Sequence, residues 1–243
     1  MRMINNFLEG IIYHIKGLSF AMKRSKLLFL GILRFFILIA FTIALSTIII
    51  SYHDKLMGIV WSKPESIWIV WIWHFVSWIM TMVLVGIATI LSYLISQIFF
   101  SIFIMDYMSK ITEQILTGKL EEPKKISFFR HIIYLIKQEI PRTILPVLIL
   151  LFLLIIGWIT PFGPIFAIIS SALTIVFLAW DNTDLVPTRR FLPFKDRFFL
   201  MLRNLPFHIG FGLFFLVPIF NTVFFSFAPV GATIYYLDVL SKK

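Results

Sequence analysis

The sequence predicts an all-α integral membrane protein: two long transmembrane helices, two helical hairpins that penetrate the bilayer only in part, and amphipathic helices at the interface. Three observations carry that expectation. The stretch Ile67–Met105 runs thirty-nine residues without Asp, Glu, Lys, Arg or Pro, whereas about 18 apolar residues already suffice for a span. Apolar residues make up 60% of the chain, charged residues 14%, and the mean hydropathy is +0.95, which excludes an ordinary soluble domain. Basic segments separate the apolar ones, so each apolar unit must return to the side from which it started.

Taken in order, residues 1–26 open with Ile4, Phe7, Leu8, Ile11, Ile15 and Leu18 at helical spacing, opposite Asn5, Glu9 and Lys16. That pattern reads as an amphipathic helix lying in the membrane interface rather than a cleavable signal. Lys23-Arg24-Ser25-Lys26 then precedes the first span, 27–50. Arg34 falls about two turns inside it. The expectation for Arg34 is a snorkelling anchor that reaches back to the headgroups, and the alternative is a residue on a solute pathway.

The connection 51–66 is neutral, with Asp54 and Glu65 against Lys55 and Lys63. The segment before the first span carries Arg2, Lys16, Lys23, Arg24 and Lys26 against Glu9. This asymmetry places the N-terminus in the cytoplasm. Trp61, Trp68, Trp71, Trp73 and Trp78 then mark the outer interface, where amphipathic rings collect. The second span, 67–105, would be about 58 Å long as one α-helix, and without a proline or glycine pair it is expected to be continuous and tilted.

Residues 106–142 are charged again, with Gly118 ending a helix, a loop at Glu121-Glu122-Pro123, and a second amphipathic face at Phe129, Ile133, Ile136 and Ile140. The apolar stretch 143–180 is broken by Thr160-Pro161-Phe162-Gly163-Pro164 into two arms at the lower limit for spanning. It is read as the first hairpin. Arg189, Arg190, Lys195, Arg197 and Arg203 follow against Asp181, Asp184 and Asp196, and the stretch 207–237, interrupted by Pro218 and Pro229, is the second hairpin. Lys242 and Lys243 close a chain whose two termini are both expected in the cytoplasm, all within a single membrane domain, 1–243.

The candidate binding chemistry sits at the start of the first span. Free backbone N–H groups and the positive dipole end suit an anion at Ser25 and Lys26, with Lys23 and Arg24 adding charge. The alternative is a positive flank that only fixes orientation. Asp106, Lys110 and Glu113 stand at i, i+4 and i+7, the pattern of a solvated helix face with one ion pair; Glu139 and Arg142 invite the same reading. The net charge of +10 reads as positive-inside bias and attraction to anionic lipid rather than nucleic-acid binding. The five histidines show no metal spacing, cysteine is absent, and no nucleophile elbow, P-loop or dinucleotide fingerprint occurs. No enzyme activity, cofactor or metal is expected.

A set of motifs then appears in fixed order: Leu116-Thr117-Gly118 with Glu113, Pro161-x-Gly163, Asp184-x-x-Pro187, Pro193-Phe194-Lys195-Asp196, Gly210-Phe211-Gly212, Val217-Pro218-x-x-Asn221 and Gly231-Ala232-Thr233. From about Ile98 onward the chain resembles the CysZ sulfate-permease family and the wider superfamily that includes the etoposide-induced membrane proteins. The resemblance implies two long transmembrane helices with two partly penetrating hairpins, a homo-oligomer in the inner membrane, and passage of sulfate or a related oxyanion inward for sulfate assimilation. It also implies that Asp106, Lys110 and Glu113 line the anion path, beside the pathway alternative already given for Arg34. The Gly-Leu/Ile-Arg-Arg segment tied to sulfate in that family is replaced here by Ser25-Lys26-Leu27-Leu28, and its usual proline and asparagine by Leu33 and Ile37. The alternative function is a non-transporting, membrane-organising protein of the same fold.

Overall fold

A computed structural model describes residues 2–120, 128–217 and 221–241. Among these residues there is no strand. The elements are α1 (Arg2–Met22), α2 (Ser25–Ser51), α3 (His53–Val60), α4 (Ile67–Ser96), a π turn at Gln97–Ser101, α5 (Ile102–Thr117), α6 (Phe128–Ile159), α7 (Gly163–Thr183), α8 (Leu185–Arg189), α9 (Phe194–Arg203), α10 (Leu205–Gly212) with a 3-10 turn at Leu213–Leu216, and α11 (Asn221–Tyr235) ending in a π turn at Tyr236–Leu240. Among the described residues five helices are long and apolar enough to cross a membrane, and a sixth is added if α9 and the α10 segment, bent by 78°, count as one broken span.

Local chemistry accounts for the ends of several elements. Gly118 adopts φ 69° and closes α5 by donating its N–H to Gln114 O, the left-handed cap that glycine takes without strain. Proline stands in the first turn of α7 and of α10, where its missing N–H has no helical partner to lose. Two features depart from the sequence reading. The chain from Trp68 to Thr117 is helical throughout, as expected, but contains the π turn at Gln97–Ser101, which neither proline nor glycine announces. The amphipathic stretch and the first hairpin arm, read as separate pieces, are one helix: α6 carries Pro141 and Pro146 inside it, each removing one ladder bond.

The structure divides into two compact units, residues 1–35 with 98–243, and residues 36–97. In the smaller unit, Ser92 Oγ donates to Phe41 O at 3.2 Å and Trp73 Nε1 to Trp61 O at 3.0 Å. Trp68, Trp71 and Trp78 are 86%, 76% and 68% exposed, free to meet lipid and headgroups as their sequence cluster suggested.

In the larger unit α1 packs on α10 and α11 through its small residues. Gly10, His14, Gly17 and Ala21 are buried at helical spacing, while Ile4, Leu8 and Ile15 of the apolar face remain exposed and Phe7, Ile11 and Leu18 are half-buried. Glycine is required for the approach: a Cβ on Gly210 would lie 2.0 Å from Phe7 O, and one on Gly231 2.4 Å from Tyr13 O. Small residues thus bring the backbones together, as in membrane helix pairs. Phe207 stacks on Tyr235 at 3.6 Å and, with Ala179, Phe211 and Ala232, forms the apolar centre.

A buried charge network as the candidate functional site

The interior of the larger unit also holds a chain of charges. On α5, Asp106, Ser109 and Glu113 share a buried face one turn apart. Arg189 of α8 reaches all three: Nη1 is 3.2 Å from Asp106 Oδ1 and 3.2 Å from Ser109 Oγ, and Nη2 pairs with Glu113. Arg190 adds a bond to Glu113 Oε1 at 3.3 Å, and Lys110 Nζ lies 3.2 Å from Asp106 Oδ2. Thr233 of α11 donates to Ser109 Oγ at 2.8 Å.

A second cluster adjoins it. Arg142 on α6 pairs with Glu139 of its own helix, with Asp181 Oδ1 at 3.2 Å and with Asp184 Oδ2 at 3.5 Å. Arg197 of α9 pairs with Asp184 and donates to Gln138. Thr188 Oγ1 donates to Asp184 Oδ2 at 3.0 Å. Thr188 and Arg189 are neighbours on α8, so this five-residue helix ties the two clusters together. Arg34 of α2 completes the set, with Nη2 3.9 Å from Asp181 Oδ2, Nη1 donating to Phe225 O at 2.8 Å, and the guanidinium 4.0 Å from the Phe225 ring centroid.

Removing such charges from water is costly, and only mutual pairing with full hydrogen bonding offsets it. Asp106, Glu113, Glu139, Asp181 and Asp184 therefore interleave with the arginines rather than grouping by sign. The result is a set of buried guanidinium groups held in the interior of the larger unit, the donor type that matches an oxyanion.

The sequence candidates fall in different places. Arg34 is 2% exposed and bonded inside the protein; it does not snorkel, because Phe225 O and Asp181 satisfy it closer at hand. Asp106, Lys110 and Glu113 do come together. The expected i,i+4 pair exists, but the face is buried rather than solvated. Glu139 and Arg142 are likewise buried. Lys23, Ser25 and Lys26 are exposed at the start of α2, with no ion-pair partner for the two lysines among the described residues. Arg24 is drawn back onto Phe20, with its guanidinium 3.4 Å from the ring and Nη1 donating to Phe20 O at 2.9 Å.

The sequence is matched by the family model described as Sulfate transporter CysZ/Etoposide-induced protein 2.4 over residues 13–226. The chain belongs to this family. It is thereby a multi-pass membrane protein of the CysZ/etoposide-induced type. No curated protein matches it.

Several residues that carried the resemblance have structural positions in this CysZ-family chain. Pro161 and Gly163 turn the chain between α6 and α7, Pro187 lies buried in α8, Gly210 and Gly231 meet α1, and Gly212 meets α7, where a Cβ would be 2.4 Å from Ile175 O. Asn221 opens α11 and donates its N–H to Val217 O at 2.8 Å. Pro218 lies outside the described residues, as do Glu121-Glu122-Pro123, Lys242 and Lys243. Asp181, Asp184, Arg189 and Arg197, which the sequence reading counts only toward the charge between the two hairpins, are network members. The signal that could have found them is the presence of ionisable residues within or beside apolar helices, which by default mark a functional site.

Proposed function

We propose that this protein conducts sulfate or a related oxyanion across the inner membrane into the cytoplasm, as a homo-oligomer with both termini cytoplasmic. Membership of the CysZ family carries the reading. The buried guanidinium groups of Arg34, Arg142, Arg189 and Arg197 support it, because each is a fixed, planar donor fork that can exchange a carboxylate partner for an oxyanion. In this reading Arg34, Asp106, Lys110 and Glu113 border the path, and Lys23, Arg24, Ser25 and Lys26 form the anion's first docking point at the free N-terminus of α2.

The same proposal takes 27–50 and 67–105 as full spans, and 143–180 and 207–237 as hairpins that return to the cytoplasmic side. The exposed charges support this. With Asp181, Asp184, Arg189, Arg190 and Arg197 engaged in the network, the exposed Lys195 and Arg203 still outnumber Asp196 between the two hairpins. The exposed apolar face of α1 fits a helix lying in the bilayer interface.

Sulfate-dependent thermal stabilisation of the detergent-purified protein tests the binding part of the proposal. A rising midpoint with sulfate, larger than with chloride at equal ionic strength, is expected. Identical responses to the two anions would reject a sulfate site.

A further inference from the structure

We propose that the groove between α1, α9 and the C-terminal π turn is the vestibule in which the oxyanion meets the charge network, and that Leu200, Asn204 and Leu240 form the gate between them. This deepens the transport reading and rests on it. The groove is open, holds about 890 Å³, and presents Arg203 and Asn6 among apolar walls. Behind it lies a second cavity of about 10 Å³, room for one water molecule. Leu200, Asn204 and Leu240 line both spaces, so these three side chains are the wall that separates them.

The inner cavity points to the ligand's chemistry. Trp180, Thr183, Asp184, Arg197 and His208 line it. Two of these residues carry a buried N–H with no acceptor, Trp180 at Nε1 and Arg197 at Nε, and each residue is 1% exposed. Buried donors are nearly always paired. Two residues of one small lining that each carry an unpaired buried donor call for an acceptor, which an oxyanion oxygen in passage supplies. Asp184, the one carboxylate in the lining, is already held by Arg197, Arg142 and Thr188.

The outer end has matching charge. Arg203 is exposed and has no acidic partner among the described residues, so it raises the local concentration of anions at the mouth. The inner cavity is too small for a tetrahedral oxyanion, which makes this the closed arrangement of the gate. Asn204 Nδ2 donates to Leu200 O at 2.8 Å, a bond between two gate residues on adjoining turns. Passage requires the Leu200 and Leu240 side chains to swing apart.

The chain contains no cysteine, so Leu240→Cys introduces a unique thiol at the gate and Ser19→Cys a unique exposed one on α1. Each variant is reconstituted in liposomes and labelled with a thiol reagent that leaves either a sulfonate or a trimethylammonium group. The Leu240→Cys adducts should slow sulfate flux by at least about fivefold, the sulfonate more than the ammonium, while the Ser19→Cys adducts leave it unchanged. Sulfate should also slow labelling of Leu240→Cys and not of Ser19→Cys. Arg203→Gln, a surface change that spares the fold, should raise the half-saturating sulfate concentration by about threefold or more. Undiminished flux through fully labelled Leu240→Cys would overturn the vestibule while leaving transport standing. Absence of flux in the unlabelled protein would reject transport itself, and the vestibule with it.

Discussion

A Cβ built on Gly17 would sit 2.2 Å from the backbone nitrogen of Gly231, so α1 and α11 touch main chain to main chain. The neighbour is backbone and cannot rotate away. Gly17→Ala should therefore force the helices apart and lower stability by about 1–3 kcal/mol or more, read as a lower thermal midpoint. Gly86→Ala is the control, because nothing lies within 4 Å of the place its methyl group would take, and alanine favours the helix by up to about 1 kcal/mol. Equal midpoints for wild type and Gly17→Ala would contradict the close packing of α1.

Arg189 holds Asp106 and Glu113 in the interior. Arg189→Met leaves both carboxylates short of a buried partner, and breaking a buried pair from one side costs about 3–5 kcal/mol. Adding Glu113→Gln should recover part of that loss, because one stranded charge is removed. Chemical unfolding of the two single variants and the double variant measures the coupling. Strict additivity of the two changes would mean that the pair does not act as a unit.

His14 supplies a pH dependence with a definite sign. Its ring is buried among Phe211, Phe214, Phe215 and Phe224, with Nδ1 2.7 Å from Phe211 O, so Nδ1 carries the proton that it donates. Burial lowers its pKa from the ordinary 6.5 to about 4, outweighing the opposite pull of the Phe211 and Phe224 carbonyls. Between these values the unfolded chain binds more protons than the folded one, so stability falls as pH drops from 6.5 toward 4. The stake is about 3 kcal/mol. In His14→Asn, whose amide can donate in place of Nδ1, this part of the acid sensitivity should vanish. Unfolding midpoints at about pH 7.5 and about pH 4.5 compare the two proteins, and parallel losses would exclude His14 as a source.

Lys26→Ala should weaken sulfate binding at the start of α2 by roughly ten- to a hundredfold, the cost of about 1.5–3 kcal/mol for a charge-assisted contact. Lys26→Arg should retain binding, since arginine offers two parallel donors. Lys195 is the proper control for nonspecific attraction, being exposed and unpaired among the described residues; Lys16 is not, because its Nζ pairs with Asp238 Oδ2 at 2.9 Å. Sulfate titrations followed by thermal shift decide the matter. Equal losses in Lys26→Ala and Lys195→Ala would reduce the site to surface electrostatics.

Local relationships are legible in the sequence and distant ones are not. The Asp106–Lys110 pair follows from i,i+4 spacing, the long helix from an uninterrupted apolar run, and the turn at Pro161–Gly163 from backbone chemistry. The partners of Glu113 and Asp106 lie on α8, far along the chain, and no periodicity links them. Arg34 escapes a sequence reading because snorkelling is the ordinary fate of a span-end arginine; only the fold brings Phe225 O and Asp181 within its reach. The inward face of α1 is hidden for a related reason. The hydrophobic pattern singles out Ile4, Leu8 and Ile15, yet the glycines make the protein contact.

Uptake of radiolabelled sulfate by liposomes containing the purified, folded protein tests oxyanion conduction most directly. Uptake well above that of protein-free liposomes is expected, competed by other tetrahedral oxyanions and reduced in Arg203→Gln. Uptake no greater than in protein-free liposomes, with and without a pH gradient, would contradict it and leave a membrane-organising protein of the same fold.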